Sequence, residues 1–180
     1  MRLENHFMPR NLSDKFALGF TKFLRFLADT FFRKRYGHRA VVLETVAAVP
    51  GMVAGMLLHL KSLRKMQDDK GWIKILLDEA ENERMHLMTF IHIAKPTLIE
   101  RIIIMIAQFI FIITYAIIFI ASQRTAHRIV GYFEEEAVRS YTEYLNELET
   151  GKIKNIPAPE IAINYWNLPL NATLKDVVKV

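Results

Sequence analysis

The pattern of apolar and polar positions along the 180 residues predicts a chain of long helices. Apolar side chains recur at the three- and four-residue spacing of a helix face, and the two-residue alternation of strands is scarce. Glycine and proline, which interrupt such segments, number only seven and six. Helix starts and breakers predict five helices at about 13–34, 38–66, 72–94, 97–121 and 125–150. We therefore expect an all-α fold and one domain covering 1–180.

Local signals sharpen several of these boundaries. Pro50 and Gly51 predict a kink in the second helix. Thr97 and Glu100 have the Thr-x-x-Glu spacing of a capping box and predict the start of the fourth helix. Gly151 predicts the end of the fifth helix, and a loop rich in proline is expected to follow it.

The last residues predict the start of a sixth helix. Thr173 and Asp176 again have the spacing of a helix start, and the apolar residues after them follow the helical pattern up to Val180. Two isolated turns are marginal in water. We expect a bundle helix most of which lies beyond these residues; the alternative is a frayed tail that docks on the body.

Composition points to a membrane surface. Hydrophobic residues make up 52% of the chain, the net charge is +5 and the pI is about 9.5. A basic protein can bind nucleic acid or anionic lipid. The apolar excess favours lipid, so we expect no nucleic-acid partner. Residues 102–121 are long and apolar enough to cross a bilayer.

Residue types limit the chemistry and the location. Cysteine is absent, which excludes disulfides, thiolate ligands and cysteine nucleophiles, so a metal site must use His, Asp or Glu. Residues 1–10 have the features of neither a signal peptide nor a transit peptide. If Met1 is the true start, we expect the cytoplasmic face of a bacterial inner membrane; the alternative is the mitochondrial inner membrane.

Three helices carry candidate metal ligands. Glu83-x-x-His86 places a carboxylate and an imidazole on one helix face. Glu44 lies in an apolar stretch, where an ionised carboxylate is costly unless it is paired or bound to metal. The acidic run 134–136 can turn one or two carboxylates inward. Each has a plainer alternative: a solvated Glu with a core His, a Glu44–Arg39 ion pair, and a solvated acidic face.

Together these residues form half of the ferritin-like di-iron pattern. Such bundles take a Glu from each of two helices and a Glu-x-x-His from each of the other two. Glu44 with Glu83 and His86 fits the first half, and Glu134 begins the second. The second Glu-x-x-His should fall after residue 173, but no His follows His127. We therefore expect a di-iron four-helix bundle with two additional membrane-surface helices, the last bundle helix being mostly missing.

The motifs around these residues resemble the alternative oxidases, from about residue 36 onward. The matching segments are Leu43-Glu44-Thr45, Asn82-Glu83-Arg84-Met85-His86-Leu87, Glu134-Glu135-Glu136-Ala137, Val49 to Met56, Asp69 to Ile73, Tyr165 to Leu168 and Asn171 to Thr173. The resemblance implies two iron ions, with ligands at Glu44, Glu83, His86 and Glu134, and a redox-active or proton-coupled Tyr141. It also implies quinol contacts at Arg39, Leu43, Phe133, Glu136, Ala137 and Ser140.

The resemblance further implies an activity and partners. We expect a monotopic membrane enzyme, a terminal oxidase that pumps no protons. It would oxidise ubiquinol and reduce O2 to water as a homodimer. The surface around His59, Leu60, Leu63 and Met66 would form the dimer contact. Another di-iron membrane enzyme, such as a quinone hydroxylase, and a non-catalytic membrane-associated helical fragment remain as alternatives.

Four departures from the family pattern affect these expectations. The motif Arg-Ala-Asp-Glu-x-x-His is missing, so the 180 residues alone are expected to be inactive. The regulatory cysteine of the plant enzymes is absent, and Phe133 stands where Leu is common. A quinol-site arginine of the first helix has no clear match, and Lys22 or Arg25 is expected to substitute for it.

Overall fold

A computed structural model describes residues 6–32 and 35–180 of the chain. Within these residues, every regular element is a helix, and the all-α prediction is confirmed. The helices are α1 (Leu12–Phe32), α2 (Tyr36–Lys65), α3 (Trp72–Ala94), α4 (Leu98–Ala121), α5 (Gln123–Glu149), α6 (Glu160–Trp166) and α7 (Leu174–Val177). The expected extension of α1 to Lys34 lies outside the described residues.

Predicted caps set several helix ends. The Thr97 hydroxyl accepts a hydrogen bond from the Glu100 backbone N–H, and the Glu100 carboxylate accepts one from the Thr97 backbone N–H. This is the capping box expected at the start of α4. Thr173 and Asp176 form the same arrangement at α7. Gly151 has a φ of +73°, a left-handed conformation that glycine adopts without steric cost, and it directly follows the end of α5.

The prediction of a structureless loop after Gly151 is wrong in one place. The seven-residue helix α6 lies between Pro159 and Asn167. Pro159 suits the residue before this helix because it needs no intrahelical donor there. Ala162 of α6 is fully buried, so this short helix is held by packing on the body of the protein. A helix of only seven residues is too short for its apolar pattern to be recognised from sequence alone.

Helices α2 and α3 form the closest pair in the fold. A methyl group added at Gly51 of α2 would lie 2.5 Å from the carbonyl oxygen of Leu76 in α3. The absence of a side chain at Gly51 therefore lets the two backbones approach. Pro50 lies inside α2, which continues through it. This tight pairing brings the first half of α2, with Glu44, alongside the middle of α3.

Helix α4 lies along the body of the bundle. Its buried residues, Ile104, Phe111, Tyr115 and Phe119, repeat at helical spacing and face α2 and α5 over four turns. The opposite face is apolar and exposed, as in Ile106, Phe109 and Ile117. By length and composition alone, α2 and α4 could each cross a membrane. The buried stripe of α4 instead requires contact with the bundle along most of the helix.

Candidate metal centre

A cavity of about 670 Å³ opens between α1, α2, α3, α4 and α5, and every site residue predicted from the sequence lines it. The structure thus brings together residues from three helices that are far apart in sequence, such as Glu44 and Tyr141, which are 97 positions apart. The residues at the cavity wall are Arg39, Leu43, Glu44, Glu83, His86, Phe133, Glu134, Glu136, Ala137, Ser140 and Tyr141.

Glu44 lies at the buried end of this cavity. Its side chain comes from the apolar face of α2 and is 3% exposed. Its Oε1 accepts a hydrogen bond from the Tyr141 hydroxyl, and its Oε2 is buried with no hydrogen-bond partner among the described residues. Burial, then the neighbouring Glu83, raise the pKa of Glu44 well above its ordinary value.

The alternative in which Arg39 neutralises Glu44 is wrong. The Arg39 guanidinium lies 3.0 Å from Asp29 and donates a hydrogen bond to the Ser140 hydroxyl. It therefore belongs to a separate polar group on the α1 and α5 side of the cavity. Within the described residues, Glu44 has a tyrosine and acidic neighbours in place of a cation.

Glu83 and His86 occupy one face of α3, as their spacing predicts. Glu83 is half-buried. The Nε2 atom of His86 is buried and has no hydrogen-bond partner among residues 6–32 and 35–180. Trp166 of α6 packs its edge against the His86 ring at a centroid distance of 4.6 Å. Burial lowers the pKa of His86, against the raising effect of Glu83, and so favours the neutral imidazole that binds metals.

Glu134 reaches the same site from α5. One carboxylate oxygen each from Glu79, Glu83 and Glu134 all lie within 4.8 Å of one another. Glu134 is exposed at the rim, and loss of solvent around its carboxyl group, then the charges of Glu83 and Glu79, raise its pKa to about 7. Sequence reasoning missed Glu79. Its one signal is the position four residues before Glu83, one helical turn away on the same face.

The donor set at this site fits iron. Carboxylates and imidazole are the ligands that non-haem iron takes in proteins. Two orphan atoms, Glu44 Oε2 and His86 Nε2, are buried on the cavity side without protein partners in the described part of the chain. Buried polar atoms of this kind are costly unless something binds them. A cation among these carboxylates would also offset the mutual repulsion that raises their pKa values.

Tyr141 connects the candidate metal ligands to the rest of the cavity. It follows Glu134 by seven residues, two turns along α5. Its hydroxyl donates to Glu44, and its ring stacks on Phe90 at a centroid distance of 5.7 Å. Burial, then the charge of Glu44, raise the pKa of Tyr141 well above its ordinary value. The phenol therefore keeps its proton at neutral pH.

The other two carboxylates of the acidic run have different partners. Glu136 is buried and forms an ion pair with Arg25, while Glu135 accepts a hydrogen bond from the Phe7 backbone at 3.2 Å. His6 lies 2.8 Å from both carboxylates. The expectation of one or two inward carboxylates thus holds for Glu134 and Glu136, and contacts from the N-terminal segment account for Glu135.

A polar group lies at the α1 end of the cavity. Arg25 lines the cavity between Glu136 and Asp29, whereas Lys22 is exposed and does not line it. Of the two first-helix cations expected from sequence to substitute for the quinol-site arginine, Arg25 is therefore the one that lines the cavity. Asp29, one turn after Arg25, was not foreseen as a cavity residue. Its partner Arg39 ties α1 to α2 at this point.

Comparison with known proteins identifies relatives over nearly the whole chain. Residues 2–180 match the family profile described as alternative oxidase. A ubiquinol oxidase, mitochondrial, of Mangifera indica is 58% identical over 99% of this chain and 56% of its own length. Ubiquinol oxidase 2, mitochondrial, of Arabidopsis thaliana is 57% identical, over 99% of this chain and 50% of its own length.

A third relative, alternative oxidase 3, mitochondrial, of Glycine max, is 59% identical over 97% of this chain and 54% of its own length. The chain thus spans about half the length of these relatives. Their names place the relatives in mitochondria, which agrees with the alternative location expected from sequence. They lend no support to the bacterial inner membrane that was the first expectation.

Proposed function

Because the chain belongs to the alternative oxidase family, we propose that this protein is a terminal oxidase that transfers electrons from ubiquinol to O2 at a di-iron centre. One observation carries the proposal: Glu44, Glu83, His86 and Glu134 line the same cavity as Tyr141 and the polar group around Arg39. A metal-binding end and a polar organic-ligand end in one cavity are what a quinol-oxidising metal enzyme requires.

The proposed overall reaction consumes two ubiquinols and one dioxygen. Two quinols release four electrons and four protons, which convert O2 to two waters and leave two quinones. Glu44, Glu83, His86 and Glu134 would hold iron, which when bound supplies the Fe(II)/Fe(III) cycle and open positions for O2. The ferritin-like pattern needs a second Glu-x-x-His. We propose that an active form carries this motif outside the 180 residues.

The polar group at the α1 end of the cavity suits the quinol head. Arg39 is 6% exposed and its guanidinium can donate to a quinol oxygen, while the Glu136 carboxylate can accept a quinol hydroxyl proton. Leu43, Phe133 and Ala137 add apolar wall around this group. We propose that Arg39, Ser140 and Glu136 orient the head group and that the apolar residues exclude water around it.

Arg39→Gln is expected to raise the KM for quinol about 10- to 100-fold, because a hydrogen bond to a buried charged group contributes about 1.5–3 kcal/mol. Iron content should stay unchanged, since Arg39 contacts Asp29 and Ser140 and not the metal ligands. The measurement is quinol-dependent oxygen uptake against quinol concentration.

Arg139→Gln serves as the matched control. Arg139 is an exposed arginine of α5 that pairs with Glu143 on the helix surface. Its replacement should leave the KM unchanged. An unaltered KM in Arg39→Gln, in a protein that melts normally and holds iron, would remove Arg39 from the quinol site.

The apolar outer faces of α1 and α4 support a monotopic membrane position. Exposed side chains on these faces include Phe16, Phe23, Phe26, Met105, Ile106, Phe109, Ile110, Ile113, Ile117 and Ile120. Exposed apolar area of this extent marks an interaction or membrane surface. We propose that α4 lies in the interface with its inner stripe on the bundle, so that ubiquinol enters the cavity sideways from lipid.

This position also bears on energy conservation and location. A protein that lies on one leaflet offers no path for protons across the bilayer, so the proposed oxidase does not pump. Since the relatives carry the word mitochondrial in their names, we propose the mitochondrial inner membrane as the site of action.

The outer surface of α2 supports a homodimer. Met52, Met56, Leu60 and Leu63 are between 46% and 61% exposed and repeat at helical spacing, so they form one apolar stripe. This stripe shares Leu60 and Leu63 with the surface predicted from sequence, which also included His59 and Met66. We propose that a second copy of the chain covers it.

Met56→Glu is expected to convert crosslinked dimer to monomer in membranes, because a charge at the centre of an apolar contact must be desolvated without a partner. Leu170→Glu, at an equally apolar side chain that is 92% exposed in a loop, should leave the dimer intact. Crosslinking that yields only monomer from the unmodified protein, or equal dimer from both variants, would contradict this interface.

A further inference from the structure

Glu79 places a third carboxylate at the rim of the proposed iron site. It lies one turn before Glu83 on α3, and the two carboxylates meet Glu134 of α5, all three oxygens being within 4.8 Å of one another. Ligand oxygens around an ion bound at about 2.1 Å lie about 3–4 Å apart. Small side-chain rotations would therefore let these three carboxylates close on one divalent ion.

A buried carboxylate oxygen that lacks a partner points to a ligand beside this cluster. Glu44 is 3% exposed, and its Oε2 atom has no hydrogen-bond partner among the described residues. The same carboxyl group lines the cavity with Glu79, Glu83 and Glu134. Burial falls from Glu44 to half-buried Glu83 and then to exposed Glu79 and Glu134. Carboxylates of decreasing exposure thus line the cavity from the protein surface to the core.

The charges of this cluster are not neutralised by the protein. In residues 6–32 and 35–180, no Lys, Arg or His forms an ion pair with Glu79, Glu83 or Glu134. The neighbouring acids differ, since Glu81 pairs with Arg84, and Glu135 and Glu136 pair with His6 or Arg25. An ordinary solvated or salt-bridged acidic face therefore does not describe Glu79. Its arrangement is that of a cation ligand.

We propose that Glu79 is a further iron ligand, which receives ferrous iron at the rim of the site and holds it together with Glu83 and Glu134. The inference rests on the proposed di-iron function and deepens it. The route of the ion is from exposed Glu79 and Glu134 to half-buried Glu83 and then to buried Glu44. Carboxylate oxygens suit Mn(II), which can therefore stand in for Fe(II) in a binding measurement.

The test compares Glu79→Gln with Glu81→Gln in the full-length, metal-depleted protein. Glutamine keeps the size of the side chain and removes its charge, and both positions are exposed on α3. Mn(II) binding is measured by the electron paramagnetic resonance signal of the free ion. Fe(II) uptake is followed without oxygen by quenching of Trp166, which touches His86.

Glu79→Gln is expected to weaken Mn(II) binding and slow Fe(II) uptake about 10- to 100-fold, the range of loss caused by changing a residue that supports a metal site. The Glu81→Gln variant should bind Mn(II) and take up Fe(II) as the unmodified protein does. Equal binding and loading in both variants would overturn the role of Glu79 and leave the di-iron proposal standing. An unmodified protein that takes up neither ion would overturn both.

Discussion

Glu44→Ala is expected to abolish quinol-dependent oxygen uptake, lowering it more than about 100-fold. The variant removes a side chain proposed to bind iron directly, and changing residues that only support such ligands already lowers metal affinity or activity about 10- to 100-fold. Iron content should fall together with activity. The helices should remain, since α2 is held by its apolar contacts, such as Val49, Val53 and Ala54. Iron analysis, oxygen uptake and circular dichroism of one preparation measure all three quantities.

His86→Ala should have the same outcome from the other helix, and the chain offers a matched control for it. His92 is an exposed histidine of α3, so His92→Ala should keep both iron and activity. For Glu44, the exposed Glu149 at the end of α5 serves the same purpose. Near-normal turnover in Glu44→Ala or His86→Ala would refute their assignment as iron ligands.

Tyr141→Phe is expected to lower kcat by about 100-fold or more while iron stays bound, because a positioned proton-transfer group typically contributes 10²–10⁴-fold. The raised pKa of Tyr141 keeps its phenol protonated, so loss of an electron toward dioxygen must be accompanied by loss of the proton. The hydrogen bond to Glu44 Oε1 provides the acceptor for that proton. Steady-state turnover and iron content measure the effect.

Tyr144→Phe is the control for this variant. Tyr144 lies three residues later on α5 and packs on Tyr36, with ring centroids 5.4 Å apart, and on Phe90. Its replacement should leave kcat unchanged. If Tyr141→Phe retains full turnover, the proton-coupled role is lost; if it loses its iron, Tyr141 acts only by supporting Glu44.

Sequence pattern was sufficient to predict the long helices and to place the candidate metal ligands on them. The period of apolar positions fixes α2, α3 and α5, and one carboxylate or Glu-x-x-His on each of them leads directly to a shared site. The capping boxes at Thr97 and Thr173 were readable because they depend on residues only three apart. Information of this kind is local, and local structure follows from it.

Features that depend on contacts between residues distant in sequence could not be predicted from the sequence. The one local signal that separates Glu79 from Glu81 is its position one turn before Glu83, and its approach to Glu134 on another helix is a tertiary contact. Arg25 and Lys22 are three residues apart on α1, and the packing of α1 on α5 decides which one faces the cavity. His6 meets Glu135 across 129 positions of sequence. No periodic signal encodes these tertiary choices, so the polar partners in the cavity required the structure.

The most direct test of the proposed function is the iron content of protein expressed from its complete reading frame, measured together with ubiquinol-dependent oxygen uptake in the presence of cyanide. Two irons per chain and cyanide-insensitive uptake, both lost in Glu44→Ala, are the predicted result. Oxygen uptake that persists in iron-free protein, or a protein with two irons that oxidises no quinol, would contradict the assignment of this cavity as a di-iron quinol oxidase site.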